Sequence, residues 1–464
     1  MKWCLLCLVM LITVNPAVAQ PERYELGRRL MAFETTWDEV PDAAARKRAL
    51  KDLPQVTTLF FAFKLGEAGR VLDLAAHALK SDTPPAADAL RARSIYAEPE
   101  SRLLDGAATE LSVVVKPFFP TDGGTKAVTV RLRVGTGETV SATTETFPVT
   151  LRVPLIHLKG GGIDTELSLT TTVGTETHRT AIGVSRVEKR AERIAGLEKA
   201  AARRPAFTTI EQATVRDRAK LLAGLAEGDA AETNIPAARL LAEAEAMTDG
   251  KAVFTPDKRG QFWMSAPLGA KKTAPLRVFV PKGLDASKPV PVVFALHGAG
   301  GSENLFFEGY GAGRIVKECE QRGWVLVATR SGLGFGTAPP LADVLEQLGT
   351  RYPLDAKRVF VVGHSMGAGQ TIGVVQKHPK LFAGAAALGG GGAVRDTSAF
   401  AALPVFVGVG GKDFALGGAK SLHKSLTAGG AKNAVYKEYA DIEHMVIVRE
   451  ALPDVFAMFD RAAK

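Results

Sequence analysis

The hydrophobic period changes several times along the chain, and each change predicts a different kind of element. From residue 20 to about 105, apolar residues recur at intervals of three and four, as in Val56, Leu59, Phe60 and Phe63, and again in Leu72, Ala75, Ala76 and Leu79. That spacing places them on one face of a helix and predicts a helical N-terminal region, interrupted at Pro84-Pro85 and Pro99. Between 106 and 185 the period falls to two: Leu111–Val115, Val128–Val134, Val149–Val153 and Leu167–Val173 alternate apolar and polar residues, with Gly and Pro between them. Half-buried antiparallel strands of this kind predict a small sandwich-like, β-rich region. Residues 186–250 return to a helical period rich in Ala, Glu, Arg and Leu, and their charged face reads as a solvated helix surface in a connecting region.

From Lys251 to Lys464 the apolar residues come as short, nearly continuous runs: Phe262–Ala266, Leu276–Val280, Val290–Leu296, Val325–Thr329, Val359–Val362, Ala383–Leu388, Val405–Val409 and Val435–Tyr439. A run without polar alternation is buried on both sides, and helical stretches separate most of the later runs. Residues 251–464 are therefore expected to be an α/β domain, a mostly parallel eight-stranded sheet covered on both faces.

The first nineteen residues have another character. Met1-Lys2, an apolar run from Trp3 to Val14, Asn15-Pro16 and the Ala17-Val18-Ala19 site read as a secretory signal peptide cleaved after Ala19. The run is too short to span a bilayer, which takes about 20 apolar residues, so the expected location is secreted or periplasmic. Cys4 and Cys7 would leave with that segment. Cys319 would remain, in a helical pattern, as a buried structural thiol unable to form a disulfide within the chain. The net charge of +9 is scattered and lacks an aromatic-studded basic ribbon, so nucleic acid is not an expected partner.

The candidate chemistry centres on Val359–Gln370. Its apolar strand runs into Gly363-His364-Ser365-Met366-Gly367 and then into a helical pattern. Strand, G-x-S-x-G and helix together form a nucleophile elbow, in which a tight, strained turn lifts the serine hydroxyl above the sheet edge. A serine needs a base, and the base needs an orienting acid. In the chain order serine, acid, histidine, the base is His444, in the loop after the last predicted strand. His378 precedes a strand, and His423 sits within a helix. The acid is Asp413, which follows Val405–Val409 through Gly410-Gly411-Lys412, with Asp396 and Asp441 as alternatives. An oxyanion needs two donors. The Met366 N–H is one. The other comes from the glycine-rich loop His297–Ser302, with Ala299 the first choice and Gly300 next. No histidine pair or cluster has metal-ligand spacing.

The segments ALHGAGGSEN, RVFVVGHSMGAGQT, KHPKLFAGAAALGGG, VGGKD and IEHMVIV together resemble secreted α/β-hydrolases of the polyhydroxybutyrate depolymerase and feruloyl esterase type. They look equally like bacterial predicted peptidases related to prolyl oligopeptidase. The resemblance covers about Pro275 to Leu452. It implies an α/β-hydrolase fold, a Ser365, Asp413 and His444 triad, and ester or amide hydrolysis through an acyl-enzyme without a cofactor. Where many depolymerase relatives carry a cysteine in the loop after His-Gly, this chain has Ala299.

The leading expectation is a serine carboxylesterase. The alternatives are a serine peptidase and a non-catalytic binding protein that kept the fold. The short connection between Leu388 and Pro404 has no room for a lipase-like lid, which predicts an open site suited to esters, including those presented on a polymer. Within residues 20–250 the sandwich is expected to form its own core, and the region to position or tether the enzyme without contributing a catalytic group; the alternative is that the helices from Arg186 to Glu245 pack on the hydrolase and only stabilise it.

Overall fold

The computed structural model describes residues 21–121, 126–204, 206–229, 232–330 and 340–464. The expected signal peptide, with Cys4 and Cys7, lies outside these residues. No described helix is long and apolar enough to cross a membrane.

The N-terminal helical region comprises α1 (Pro21–Glu39), α2 (Ala43–Ala49), α3 (Gln55–Phe61), α4 (Leu65–Lys80) and α5 (Ala87–Ser94). Asp42 starts α2 by accepting the Ala45 N–H, the usual role of an N-cap carboxylate. The periodic residues Val56, Leu72, Ala75 and Leu79 meet Phe33 and Trp37 of α1 in one buried cluster, which also takes in Val446 from the far end of the chain.

Strands begin earlier than residue 106. Two short ones, β1 (Ile95–Pro99) and β2 (Leu103–Asp105), fall within the stretch expected to be helical. Neither carries an alternating run long enough to register as a strand, and each is held by pairing with a distant strand. They are followed by β3 (Glu110–Pro117), β4 (Val128–Val134), β5 (Val140–Thr144), β6 (Val149–Pro154), β7 (Gly162–Val173) and β8 (Glu176–Val187). Sheets β1-β3-β6 and β2-β8-β7-β4-β5 face each other. Their inward residues, among them Leu111, Val113 and Val115 on one sheet and Val128, Val130 and Leu132 on the other, share one core, as the period-two pattern requires.

Helices α6 (Arg190–Ala202), α7 (Ile210–Ala226) and α8 (Ala237–Thr248) lead to the largest sheet. Its strands are β9 (Gly260–Pro267), β10 (Thr273–Val280), β11 (Val290–Leu296), β12 (Val325–Thr329), β13 (Leu354–His364), β14 (Gly384–Leu388), β15 (Val405–Gly410) and β16 (Ala434–Tyr439). Helices α9 (Arg314–Arg322), α10 (Leu341–Gly349), α11 (Met366–Lys377), α12 (Leu416–Ala428) and α13 (Ile447–Ala462) cover the sheet. The spatial order is β9-β10-β12-β11-β13-β14-β15-β16. Strand β10 is antiparallel to β9 and β12, and every pair from β12 to β16 is parallel. This is the α/β-hydrolase sheet. Strand parity divides its two faces: Val292, Phe294, Val359 and Val361 join one cluster, whereas Val293, Ala295, Phe360 and Val362 join the other.

The first of these clusters runs across Lys251. Ile194, Leu197, Ile210, Val215, Leu222 and Leu241 from α6–α8 are continuous with Phe262, Met264, Leu276 and Val278 of the sheet. The apolar stripes of these helices, whose polar faces stood out in the sequence, cover the outer strands of the hydrolase sheet.

Candidate active site

Ser365 stands between β13 and α11 with φ 56° and ψ −115°, a backbone conformation that is strained for any residue bearing a Cβ. The turn survives because its flanks have no side chains. A Cβ on Gly363 would run into the Gly367 carbonyl, and one on Gly367 into the Leu296 carbonyl, backbone atoms that cannot swing aside. The Ser365 N–H donates to the Leu388 carbonyl at 2.9 Å and ties the elbow to the next strand.

Asp413 and His444 come from the loops after β15 and β16. Those loops lie backbone on backbone. The Gly411 N–H donates to the Tyr439 carbonyl at 2.8 Å, and the Lys412 N–H to the Ile442 carbonyl at 2.9 Å. A Cβ on Gly410 or Gly411 would collide with the opposite loop, which explains the glycine pair before the acid. His444 Nδ1 and Asp413 Oδ1 are 2.9 Å apart, both residues being buried. A carboxylate oxygen only accepts, so Nδ1 carries the proton and Nε2 is left as an acceptor. The Ala415 N–H also donates to Asp413 Oδ1, at 2.8 Å. Asp396 and Asp441 are both exposed, and Asp396 is engaged with Ser398. Neither alternative acid is paired with His444.

Ser365 and His444 line one cavity of about 380 Å³ together with Gly298, Ala299, Gly300 and Gly301. Among the described residues the Ser365 hydroxyl makes no hydrogen bond. Gly298 brings the glycine-rich loop close to it: a Cβ there would lie 3.2 Å from that of Ser365. Ala299 is thus on the cavity wall, and Met366 opens α11 next to the serine. Cys319 is a buried free thiol on α9, away from this cavity, and burial pushes its pKa up.

Beneath the site lies a polar relay that the sequence did not signal. His364 Nε2 is 2.9 Å from the His444 carbonyl, which can only accept, so Nε2 bears the hydrogen. His364 Nδ1 must then accept from the Tyr310 hydroxyl, 2.7 Å away, while the Tyr310 oxygen accepts the Gly298 N–H at 3.3 Å. The chain links the glycine-rich loop to the backbone of the histidine loop through two side chains. Burial holds the His364 pKa well below the ordinary histidine range and pushes the Tyr310 phenol up, so both stay neutral.

Two acids are buried behind His444. Glu443 accepts N–H groups of Met445 and Val446 at 2.8–2.9 Å and shapes the turn into α13. Burial raises its pKa to about 7 against those donors, and Asp413 adds to the rise. Glu34 of α1 is pushed up to about 8, chiefly by burial, with Arg449 opposing.

The site has a wall that the sequence did not place. Arg23, Leu26, Leu30 and Met31 of α1, with Val56, Phe60 and Phe61 of α3, line the cavity opposite the hydrolase loops. The Arg23 guanidinium donates to the Gly300 carbonyl and pairs with Glu232 at 3.2 Å. The connection after β14 is short, as expected, but the cover comes from the other end of the chain. The helical period of residues 56–63 was the available signal there, although α3 ends at Phe61, Phe63 is exposed and of Val56, Leu59, Phe60 and Phe63 only Val56 is buried; what the helix covers was not legible.

Strand order, elbow and acid–histidine pair together define an α/β-hydrolase fold with the parts of a serine hydrolase. No family model matches the chain. Among solved structures it is similar to the feruloyl esterase module from Clostridium thermocellum (17% identity, 44% of this chain and 90% of that chain, TM-score 0.38). It is also similar to a thermostable esterase (15%, 80% and 96%, TM-score 0.36) and to an S-formylglutathione hydrolase from Agrobacterium tumefaciens (16%, 46% and 98%, TM-score 0.34). Likeness this distant does not identify a reaction.

Proposed function

We propose that this protein is a serine hydrolase that cleaves carboxylic esters, and that the bond between His444 and Asp413, 2.9 Å long on a cavity shared with a strained serine, carries the reading. Ser365 is the nucleophile, His444 the base and Asp413 the orienting acid. His444 Nε2 takes the hydroxyl proton as Oγ attacks the ester carbonyl. The N–H groups of Ala299 and Met366 receive the oxyanion. The proton then passes from Nε2 to the leaving alcohol, the acyl group stays on Ser365, and a water activated in the same way releases the acid.

The test is labelling of Ser365 by a small fluorophosphonate, read by mass spectrometry, alongside turnover of p-nitrophenyl butyrate. Labelling and turnover that are both lost in Ser365→Ala support the reading; turnover retained in that variant sinks it. Export is part of the same proposal and rests on the Trp3–Val14 run and the Ala17-Val18-Ala19 site. Protein recovered from outside the cytoplasm should begin at Gln20.

A further inference from the structure

Resting on the ester-hydrolase reading, we infer that the N-terminal helices form the acyl pocket, and that the substrate is a compact, freely diffusing ester with a short apolar acyl group. The alcohol limb must lie on the His444 side, because that histidine returns the proton to the leaving oxygen. The acyl limb therefore points away from His444, along the glycine-rich loop. There it meets α1 and α3. Phe60 lies against Gly300 closely enough that a Cβ on that glycine, which has φ +77°, would come within 2.9 Å of the ring. Leu30 lies over Gly309 in the same way, 3.3 Å from where a Cβ would be. Leu26, Leu30 and Val56 are buried and present hydrocarbon to the cavity.

The C-terminal half of α1 is tied to the hydrolase domain. Arg449 of α13 donates to the Glu34 carbonyl at 2.9 Å and pairs with Asp38, and Trp37 Nε1 donates to Glu450 at 3.0 Å. Residues 232–234 and Ala181 close a further side. A volume of about 380 Å³ is at the small end of ligand pockets. It accommodates a short chain or a single ring, which favours a compact ester over a polymer strand.

The experiment measures kcat/KM of the full chain for p-nitrophenyl acetate, hexanoate and palmitate, in the wild type, Leu30→Trp and Phe60→Ala, with Ser365 labelling as the control. The wild type should favour hexanoate over both acetate and palmitate by roughly tenfold or more, the scale of apolar-pocket discrimination. Leu30→Trp should lower the hexanoate-to-acetate ratio about tenfold, and Phe60→Ala should raise the palmitate-to-hexanoate ratio. Ratios do not depend on the fraction of enzyme that is folded, and position 60 is only half-buried. Labelled enzymes whose ratios match the wild type, or a wild type that cleaves palmitate or a polyester film as fast as hexanoate, would overturn the acyl-pocket inference alone. A wild type that is neither labelled nor active overturns the hydrolase reading, and the inference with it.

Discussion

Arg23 on the first helix donates a hydrogen bond to the carbonyl of Gly300, 277 positions further along the chain, in the loop that faces the candidate nucleophile. An N-terminal segment with no recognisable chemistry thereby becomes a wall of the site. Its loss should be felt at the chemistry as well as in the fold.

A chain truncated to start at Lys251 should accordingly be insoluble, or soluble without small-ester activity. Removing α6–α8 bares Phe262, Met264, Leu276 and Val278, and removing α1 and α3 opens the cavity and strips the partners of Arg449. Solubility and p-nitrophenyl butyrate turnover decide it. Full activity from the truncated chain would mean that residues 20–250 only tether the enzyme.

Ser365→Ala should reduce turnover by about 10⁴-fold or more while leaving the circular dichroism spectrum unchanged, since position 365 contributes only its oxygen to chemistry. Asp413→Asn should approach that loss, because an amide in place of the carboxylate favours the wrong His444 tautomer. Asp441→Asn, at an exposed position, should stay near the wild-type rate. If Asp413→Asn matches the wild type in kcat, the acid has been misassigned.

Tyr310→Phe leaves His364 Nδ1 and the Gly298 N–H without their shared buried partner. The expected cost is about 1–3 kcal/mol of stability, measured by denaturant unfolding. Because the relay spans the glycine-rich loop and the histidine loop, kcat should fall as well. An unchanged unfolding midpoint would show that the relay is dispensable.

Glu34 and Glu443 give a pH signature. Their folded pKa values of about 8 and about 7 lie above the ordinary 4.5. The native state therefore holds protons that the unfolded chain has released, and the stability contributed by these groups is full below about pH 4.5 and lost as pH rises towards 8. Glutamine mimics the protonated acid. Glu34→Gln should thus gain stability relative to the wild type, by a small margin at pH 5 and by a few kcal/mol at pH 8. A difference that stays constant between those pH values, measured by thermal or urea unfolding, would contradict this account.

The sequence alone carried the features that depend on neighbours a few residues away. Runs such as Val359–Val362, β-branched and followed by a glycine turn, read as buried parallel strands, Gly363 and Gly367 marked a turn that forbids side chains, and the alternation in Val128–Val134 placed one face of a strand against a core. The order serine, acid, histidine admits Asp396, Asp413 and Asp441 alike, and it was the placement of Asp413 directly after the run Val405–Val409 that favoured it before any distance was known, because the connections of a parallel sheet deliver successive loops to one edge. Tertiary structure decided whatever depends on groups far apart in the chain. The Tyr310–His364 relay joins residues 54 positions apart, and Arg449 meets Glu34 across 415. Such contacts leave no local period, since a helix shows which of its faces is apolar but not which surface it will cover. The wall that α1 and α3 add to the site was not legible from the short connection after Leu388 for that reason. Only the folded chain shows that the cover is supplied from the opposite end.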